Sequence, residues 1–341
     1  MASLPSPALL VALIVGGGFV IWWAWQNQRR RTHPVPPGLQ EGIDLPFDEE
    51  FELYHNALSL CSMKTRLCMA ELGVRYKSHH IDLIETGCYE NIRPRLLDVN
   101  PGGTVPVLVH QGHPVYESHE QIRFAAQHAL PSSPGLIPDD AAARAEMESW
   151  IDRTSLTDDP IQHGDQSAGN AVPGLTLPLF CTMIEKIPFW KIFEGVLFHF
   201  DKKRPLLFVA LKTAGIEKIG RLGLPMKILA RSRDQMGVHL DALEAQLEKT
   251  GGPWLLGTQY TLADVGWLVI FERLRQVDSI EPFLGNGQRP ACAGYWTALT
   301  SRPAYREAIL EHSQPLIEQG LERLRSAKDA DPVLRQLLEG G

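Results

Sequence analysis

The sequence predicts one apolar membrane helix, then an α/β domain, then an all-helical domain. Three observations carry this reading: an uncharged stretch from Met1 to Gln28, a βαβ-then-ββα alternation between Phe51 and His128, and helical periodicity from Ala141 onward. Across 341 residues, 44% are hydrophobic and 21% charged, which supports a packed core and excludes a disordered chain. Five cysteines without a CxxC spacing argue against a zinc ribbon and against a disulfide-stapled domain. With 33 basic and 40 acidic side chains the net charge is −7, opposite to the bias of a nucleic-acid binder, so no nucleic-acid partner is expected.

The leading segment comes first. Ala8 to Trp25 is continuously apolar, and a helix of that length reaches about 27 Å, close to the thickness of a bilayer's hydrocarbon core. Trp22, Trp23 and Trp25 stand where an interfacial aromatic belt belongs, just before Arg29, Arg30 and Arg31. A cleaved signal peptide is the rival, but the basic leading region and the small-residue cleavage site are both missing. The arginines follow the span, so the globular part is expected on the cytoplasmic side of the membrane. The expected organisation is an anchor over 1–31, a stiff Pro-rich spacer over 32–50, an α/β domain over 51–130 and a helical domain over 131–341.

Within the α/β domain, Phe51–His55 reads as a strand and Cys61–Leu72 as a helix with Met63, Leu67 and Ala70 on one face. Tyr76–Leu83 reads as a second strand, followed by a poorly periodic stretch to Asn100. Val105–His110 and Pro114–Tyr116 flank a turn at Gly112 and read as a hairpin. Ser118–His128 closes the unit as a helix with Ser118 as candidate N-cap. Ala129–Asp140 is a linker by composition.

These residues resemble the glutathione transferase superfamily. The run Asn100-Pro101-x-Gly103-x-Val105-Pro106 is similar to that family's turn into a cis-proline strand, and Glu117-Ser118 to the pair that opens its third helix. Thr261-Leu262-Ala263-Asp264 resembles its helix-capping box. The resemblance implies a thioredoxin-like domain joined to an all-α domain, glutathione as co-substrate, and a possible homodimer. Thr104, Val105, Pro106, Glu117 and Ser118 would then hold the tripeptide, with the backbone beside the proline pairing as an added strand.

The chemistry centres on Ser59-Leu60-Cys61-Ser62-Met63-Lys64, between the first strand and the first helix. A thiol at a helix start is stabilised as thiolate by backbone N–H groups and the macrodipole, and Lys64 or Arg66 can add to that field. Lys64 stands where a CxxC motif has its second cysteine, which disfavours a dithiol reductase and favours a monothiol working with glutathione. The stretch resembles glutathione-dependent reductive dehalogenases of chlorinated hydroquinones and zeta-class maleylacetoacetate isomerases, in which the residues matching Ser59 and Cys61 are the functional pair. An unpaired cysteine is also among the residues most often simply buried. His79-His80 and His110-x-x-His113 have geometry ill suited to a metal, so no metal is expected.

Between the matching halves, Cys181 to Arg233 carries eleven basic and four acidic side chains, a net +7 against −14 for the rest. The segment is also rich in Phe, Trp and Leu. A basic and aromatic surface suits anionic lipid; a pair of long core helices with a basic outer face is the alternative. The expected function is a membrane-anchored, glutathione-dependent transferase or thiol reductase acting on a small apolar electrophile. Two alternatives stand beside it: glutathione-assisted cis–trans isomerisation, and a non-catalytic membrane scaffold. The resemblance to ganglioside-induced differentiation-associated proteins, which also carry a membrane segment and an enlarged helical loop, supports the scaffold.

Overall fold

The computed structural model describes residues 6–157 and 159–340, so the first five residues of the expected anchor lie outside the described residues. Helix α1 (Pro7–Arg29) starts where Ser6 caps it, its hydroxyl accepting from the Leu9 N–H at 3.3 Å, with Pro7 at the first helical position. None of its side chains is buried, and its length and composition suffice to cross a bilayer. Its far end is tied down. Arg30 bridges Glu194 at 2.6 Å, the Arg30 guanidinium lies 4.6 Å over the Phe198 ring, and Trp22 meets that ring edge-on at 5.8 Å.

The stretch expected as a spacer is part of the sheet. His33 donates to the Pro101 carbonyl at 2.8 Å, strand β1 (Gly38–Leu39) pairs with residues 115–116, and Leu45 donates to the Gly112 carbonyl at 2.8 Å. Val35, Ile43 and Leu45 pack against one face of the sheet, so hydrophobic burial overrides the extended, solvated conformation that the prolines suggest.

Four more strands follow: β2 (Phe51–His55), β3 (Lys77–His80), β4 (Val107–His110) and β5 (His113–Tyr116), in the order β1-β5-β4-β2-β3. Strands β2 and β3 run parallel around helix α2 (Leu60–Glu71), and the other pairs are antiparallel. The second strand is shorter than expected, because Asp82 leaves the ladder to take the Glu90 carboxylate on its N–H at 2.8 Å. The third is shorter too: Pro106 has no N–H for a ladder bond, and pairing begins at Val107. Short turns and the one-turn helix α3 (Pro94–Leu97) fill the aperiodic stretch.

Helix α4 (Ser118–Gln127) packs on α2. Ser118 is its first helical residue and not its cap. The capping position belongs to Glu117, whose φ of 66° turns the chain out of β5. The remainder is helical, as expected: α5 (Ala141–Asp152), α6 (Ala168–Leu175), α7 (Leu177–Ile184), α8 (Phe189–Phe198), α9 (Lys203–Ala214) and α10 (Gly223–Thr250). After these come α11 (Leu262–Gln276), α12 (Ile280–Leu284), α13 (Pro290–Thr300), the single turn α14 (Pro303–Tyr305), α15 (Pro315–Ala330) and α16 (Pro332–Glu339).

The centre of the helical domain is α11, buried along its whole length except at Arg275. Its start is fixed by buried Asp264, which accepts from the Thr261 N–H at 2.7 Å, the Leu255 N–H at 2.9 Å and the Tyr295 hydroxyl at 2.7 Å. Helix α2 lies between α11 and the sheet, which explains why ten of its twelve residues are buried. The basic segment is not a free appendage. Glu85, buried between the domains, pairs with Arg204 of α9, and the Tyr89 ring fills the space beside Gly195 of α8.

Candidate active site

The turn from β2 into α2 is built by Asn56. Its side-chain Oδ1 accepts from the Leu58 and Ser59 N–H groups at 2.9 and 3.2 Å, while its Nδ2 donates to the Ile81 carbonyl and Thr86 hydroxyl, both at 2.8 Å. With the turn fixed, Ser59 becomes the N-cap: its hydroxyl accepts from the Ser62 N–H at 3.2 Å. Cys61 then falls at the second position of α2, half-buried, beside N–H groups that helix geometry leaves without partners.

Opposite stands the turn before β4, where the Val105–Pro106 bond is cis. The Ser59 hydroxyl lies 3.4 Å from the Val105 carbonyl, so two stretches of the expected site, separated by 46 residues, meet at one point. Gln121 braces this arrangement from α4. Its amide donates to the Pro106 and Val115 carbonyls, both at 2.9 Å, and its oxygen accepts from the Thr65 hydroxyl at 2.8 Å. Thr104 and Glu117 are exposed, Val105 is half-buried, and Pro106 and Ser118 form the buried floor. The seven expected residues therefore come from three neighbouring elements: the start of α2, the turn before β4 and the start of α4.

The charges expected around Cys61 are sorted by the fold. Arg66 is buried but points into the seam between the domains, donating to the Ala308 carbonyl at 2.8 Å, the Asn56 carbonyl at 2.9 Å and His55 Nδ1 at 3.1 Å. It therefore adds nothing to the thiol, because on an α-helix residues five apart face different sides. Lys64, one turn from Cys61, is also buried; burial lowers its pKa to about 8, and a thiolate at Cys61 works against that shift. A second cation was not legible in the sequence. Arg273 of α11 donates to the Leu58 carbonyl and, at 3.1 Å, to the Thr176 hydroxyl; burial lowers its pKa to about 10, and Glu272, Glu85 and then a thiolate at Cys61 work against that shift. Gln121, Asn56 and His119 also escaped the sequence reading, since single polar residues on a helix face or in a turn carry no motif.

The other thiols lie elsewhere. Cys68, Cys181 and Cys292 are buried, and burial first and neighbouring carboxylates second raise their pKa values; Cys88 is half-buried. Among the described residues no group of three or more His, Cys, Asp or Glu is placed to hold a metal. His79 bonds Glu52 at 2.6 Å and stacks on Tyr54, while His110 and His113 pair across the hairpin. Two open cavities, of about 200 Å³ beside α16 and about 750 Å³ below β2, are lined by none of the site residues.

The head of an interdomain helix, where Ser59 meets the turn before an antiparallel hairpin and Cys61 lies half-buried two residues on, has the local geometry of a thioredoxin-type domain on a two-domain frame. Comparison with known proteins narrows that class. Residues 58–128 match the family described as glutathione S-transferase, N-terminal domain, and residues 227–298 match glutathione S-transferase, C-terminal domain. The chain belongs to the glutathione transferase superfamily. It is 26% identical over 263 residues to glutathione S-transferase TCHQD of Arabidopsis thaliana, covering 76% of this chain and 89% of that one. It is 23% identical over 261 residues to the tetrachloro-p-hydroquinone reductive dehalogenase of Sphingobium chlorophenolicum, covering 76% and 95%. In fold it is similar to the crystal structure of the β-etherase LigF from Sphingobium sp. strain SYK-6, with a TM-score of 0.61, 21% identity, and coverage of 78% of this chain and all of the other.

Proposed function

We propose that this chain is a membrane-anchored, glutathione-dependent transferase or thiol reductase acting on an apolar electrophile, with its globular part on the cytoplasmic side. One observation carries the reading: the Ser59 hydroxyl, two residues from Cys61, stands 3.4 Å from the Val105 carbonyl. Glutathione laid along Val105, with its γ-glutamyl end at Glu117 and Ser118, brings its sulfur to Ser59 and Cys61. The hydroxyl donates to the glutathione thiolate and stabilises it. That thiolate attacks the electrophilic carbon, forming a C–S bond as the leaving group departs with its electron pair. In the reductive branch the Cys61 thiolate attacks the sulfur of the conjugate: an S–S bond forms, the C–S bond breaks, and the carbon takes a proton. A second glutathione thiolate then attacks the mixed disulfide, restoring Cys61 and leaving as glutathione disulfide.

The membrane reading rests on α1 and on the surface continuous with it. Phe189, Trp190, Phe193, Leu197 and Phe200 are exposed on and after α8, the helix that Arg30 and Trp22 touch, with Lys186, Lys191, Lys202 and Lys203 around them. Such a surface suits anionic lipid, the lysines seated at the headgroups and the rings below them. A chain beginning at Arg29 is expected to float with phosphatidylserine vesicles in a salt-sensitive manner; absence of flotation removes the lipid surface and leaves α1 alone as anchor.

Calorimetry with glutathione, run beside turnover of a chlorinated hydroquinone in wild type, Cys61→Ala and Ser59→Ala, tests the reaction. Binding with turnover lost in Cys61→Ala is the expected result. Turnover surviving that change but lost in Ser59→Ala identifies conjugation or isomerisation, which need no second thiol. No binding at millimolar glutathione overturns the enzyme reading in favour of the scaffold.

A further inference from the structure

Lys64 presents a problem of charge. Its Nζ is fully enclosed, 2.6 Å from His119 Nε2 and 3.2 Å from the Thr154 carbonyl, and both partners are neutral acceptors. No Asp or Glu among the described residues stands within ion-pair distance of it. A buried ammonium without a counter-charge is costly, and proteins that keep one supply an anion or let the proton go. The titratable groups acting on Lys64 are Cys61 and Glu117, which favour its charge, and Arg123, which opposes it. Cys61 lies three residues earlier on the same helix face, one turn away. Arg273 of α11, whose charge is favoured by Glu272 and Glu85 and then by a thiolate at Cys61, is the other buried cation linked to this thiol.

His119 completes the arrangement. With Lys64 protonated, Nζ has only hydrogens to give, so Nε2 of His119 is the acceptor and Nδ1 carries the hydrogen, directed to the Ser155 hydroxyl at 3.2 Å. Burial and the Lys64 charge hold the imidazole neutral, with its pKa lowered to about 2, so it accepts without competing for the proton. Ser155 is half-exposed and ends the chain at the protein surface.

We infer that Lys64 is the resident counter-cation of the thiolate at Cys61, positioned by His119 and Thr154, and that Lys64–His119–Ser155 connects the thiol centre to solvent. Activation is then internal: the Cys61 S–H bond breaks, an N–H bond forms on the Lys64 amine, and an ammonium–thiolate pair replaces an amine–thiol pair with no external reactant. Lys64 therefore occupies the place of a second cysteine in function as well as in spacing, storing a proton where a dithiol stores electrons. This inference rests on Cys61 being the reactive sulfur, but its test needs no glutathione.

The test is the pH profile of Cys61 alkylation by iodoacetamide, followed on the Cys61 peptide by mass spectrometry, in the full chain in detergent. At neutral pH, Lys64→Met is expected to slow alkylation about tenfold, the equivalent of one unit in the thiol profile. At high pH it should reach the wild-type rate, which establishes that access and fold are intact. Lys64→Arg should restore part of the neutral-pH rate, and His119→Leu should lower it less than Lys64→Met does. Added salt should leave the difference between wild type and Lys64→Met unchanged, because a buried pair is poorly screened. A Lys64→Met profile superimposed on wild type overturns the inference. So does a rate lowered equally at every pH, which is the mark of a merely structural role. Failure to bind glutathione leaves this outcome untouched, so the two readings fail separately.

Discussion

The Ser59 hydroxyl has one hydrogen and two tasks. As N-cap it accepts from the Ser62 N–H at 3.2 Å, which uses a lone pair and leaves the hydrogen free. That hydrogen points toward the Val105 carbonyl at 3.4 Å, longer than the roughly 2.5–3.0 Å of a good O–H···O bond. Turning it to a thiolate therefore gives up little and gains a charge-assisted bond of about twice the neutral strength. Ser59→Ala removes both tasks. The lost cap should cost about 1 kcal/mol of unfolding free energy. The lost donor should lower turnover by roughly 10²–10³, as for other single donors to a developing anion. Ser59→Asp separates the two, since a carboxylate caps the helix but cannot donate and opposes a nearby thiolate. Urea unfolding should place Ser59→Asp close to wild type and above Ser59→Ala, while turnover with glutathione and a chlorinated hydroquinone should leave it at or below Ser59→Ala. Turnover of Ser59→Asp equal to wild type would refute the donor role. A Ser59→Ala protein as stable as wild type would refute the cap.

Acid should weaken the fold through two histidines. His55 and His119 are held neutral with pKa values near 2, by burial first and then by Arg66 and Lys64 respectively. The unfolded chain takes up protons that the fold refuses, so stability falls as pH drops below about 6.5. At about pH 5.5 each histidine accounts for roughly 1.4 kcal/mol, so the pair should lower the urea unfolding free energy by about 3 kcal/mol relative to pH 7.5; equal values at the two pH values contradict it. Arg204→Met leaves the Glu85 carboxylate buried without its cation and should cost about 1–3 kcal/mol, discounted because Arg204 itself is 43% exposed. Limited proteolysis should then cut the 181–233 segment before the sheet domain, and an unchanged pattern argues that the segment docks by its apolar contacts alone. Asp264→Ala strips the partners from two backbone N–H groups and the Tyr295 hydroxyl, and should destabilise by on the order of 3–5 kcal/mol. A loss below about 1 kcal/mol would mean that α11 starts correctly without its box.

The architecture was legible where local pattern and tertiary need agree. Thr261 and Asp264 state a helix start in four residues, and the strand–turn–helix around Cys61 is written in adjacent residues. Misreadings arose where a distant surface decides. Residues 32–50 have the composition of a spacer, yet Val35, Ile43 and Leu45 find an apolar face some seventy residues away in sequence. Ser118 looks like a cap because serine usually is one; the sharp exit from β5 moves that position to Glu117. Arg66 and Lys64 are nearly equivalent on paper, and only the packing around α2 sends one to the Ala308 carbonyl in the domain seam and the other to His119 of α4. Arg273, more than two hundred residues from Cys61, has no local signature at all.

Strand β1 is only two residues long, but it changes how α1 is held mechanically. The chain between α1 and the sheet is fastened at His33, at Gly38–Leu39 and at Leu45, and Arg30 is fastened to Glu194. A flexible leash lets its cargo tumble and sets only the radius it can explore. This connection acts as a bracket: the axis of α1 and the start of α2 at Cys61 keep one orientation. With α1 in a bilayer, the height of the thiol above the lipid and the side it presents become fixed properties of the fold. Lengthening the segment would add reach and lose aim.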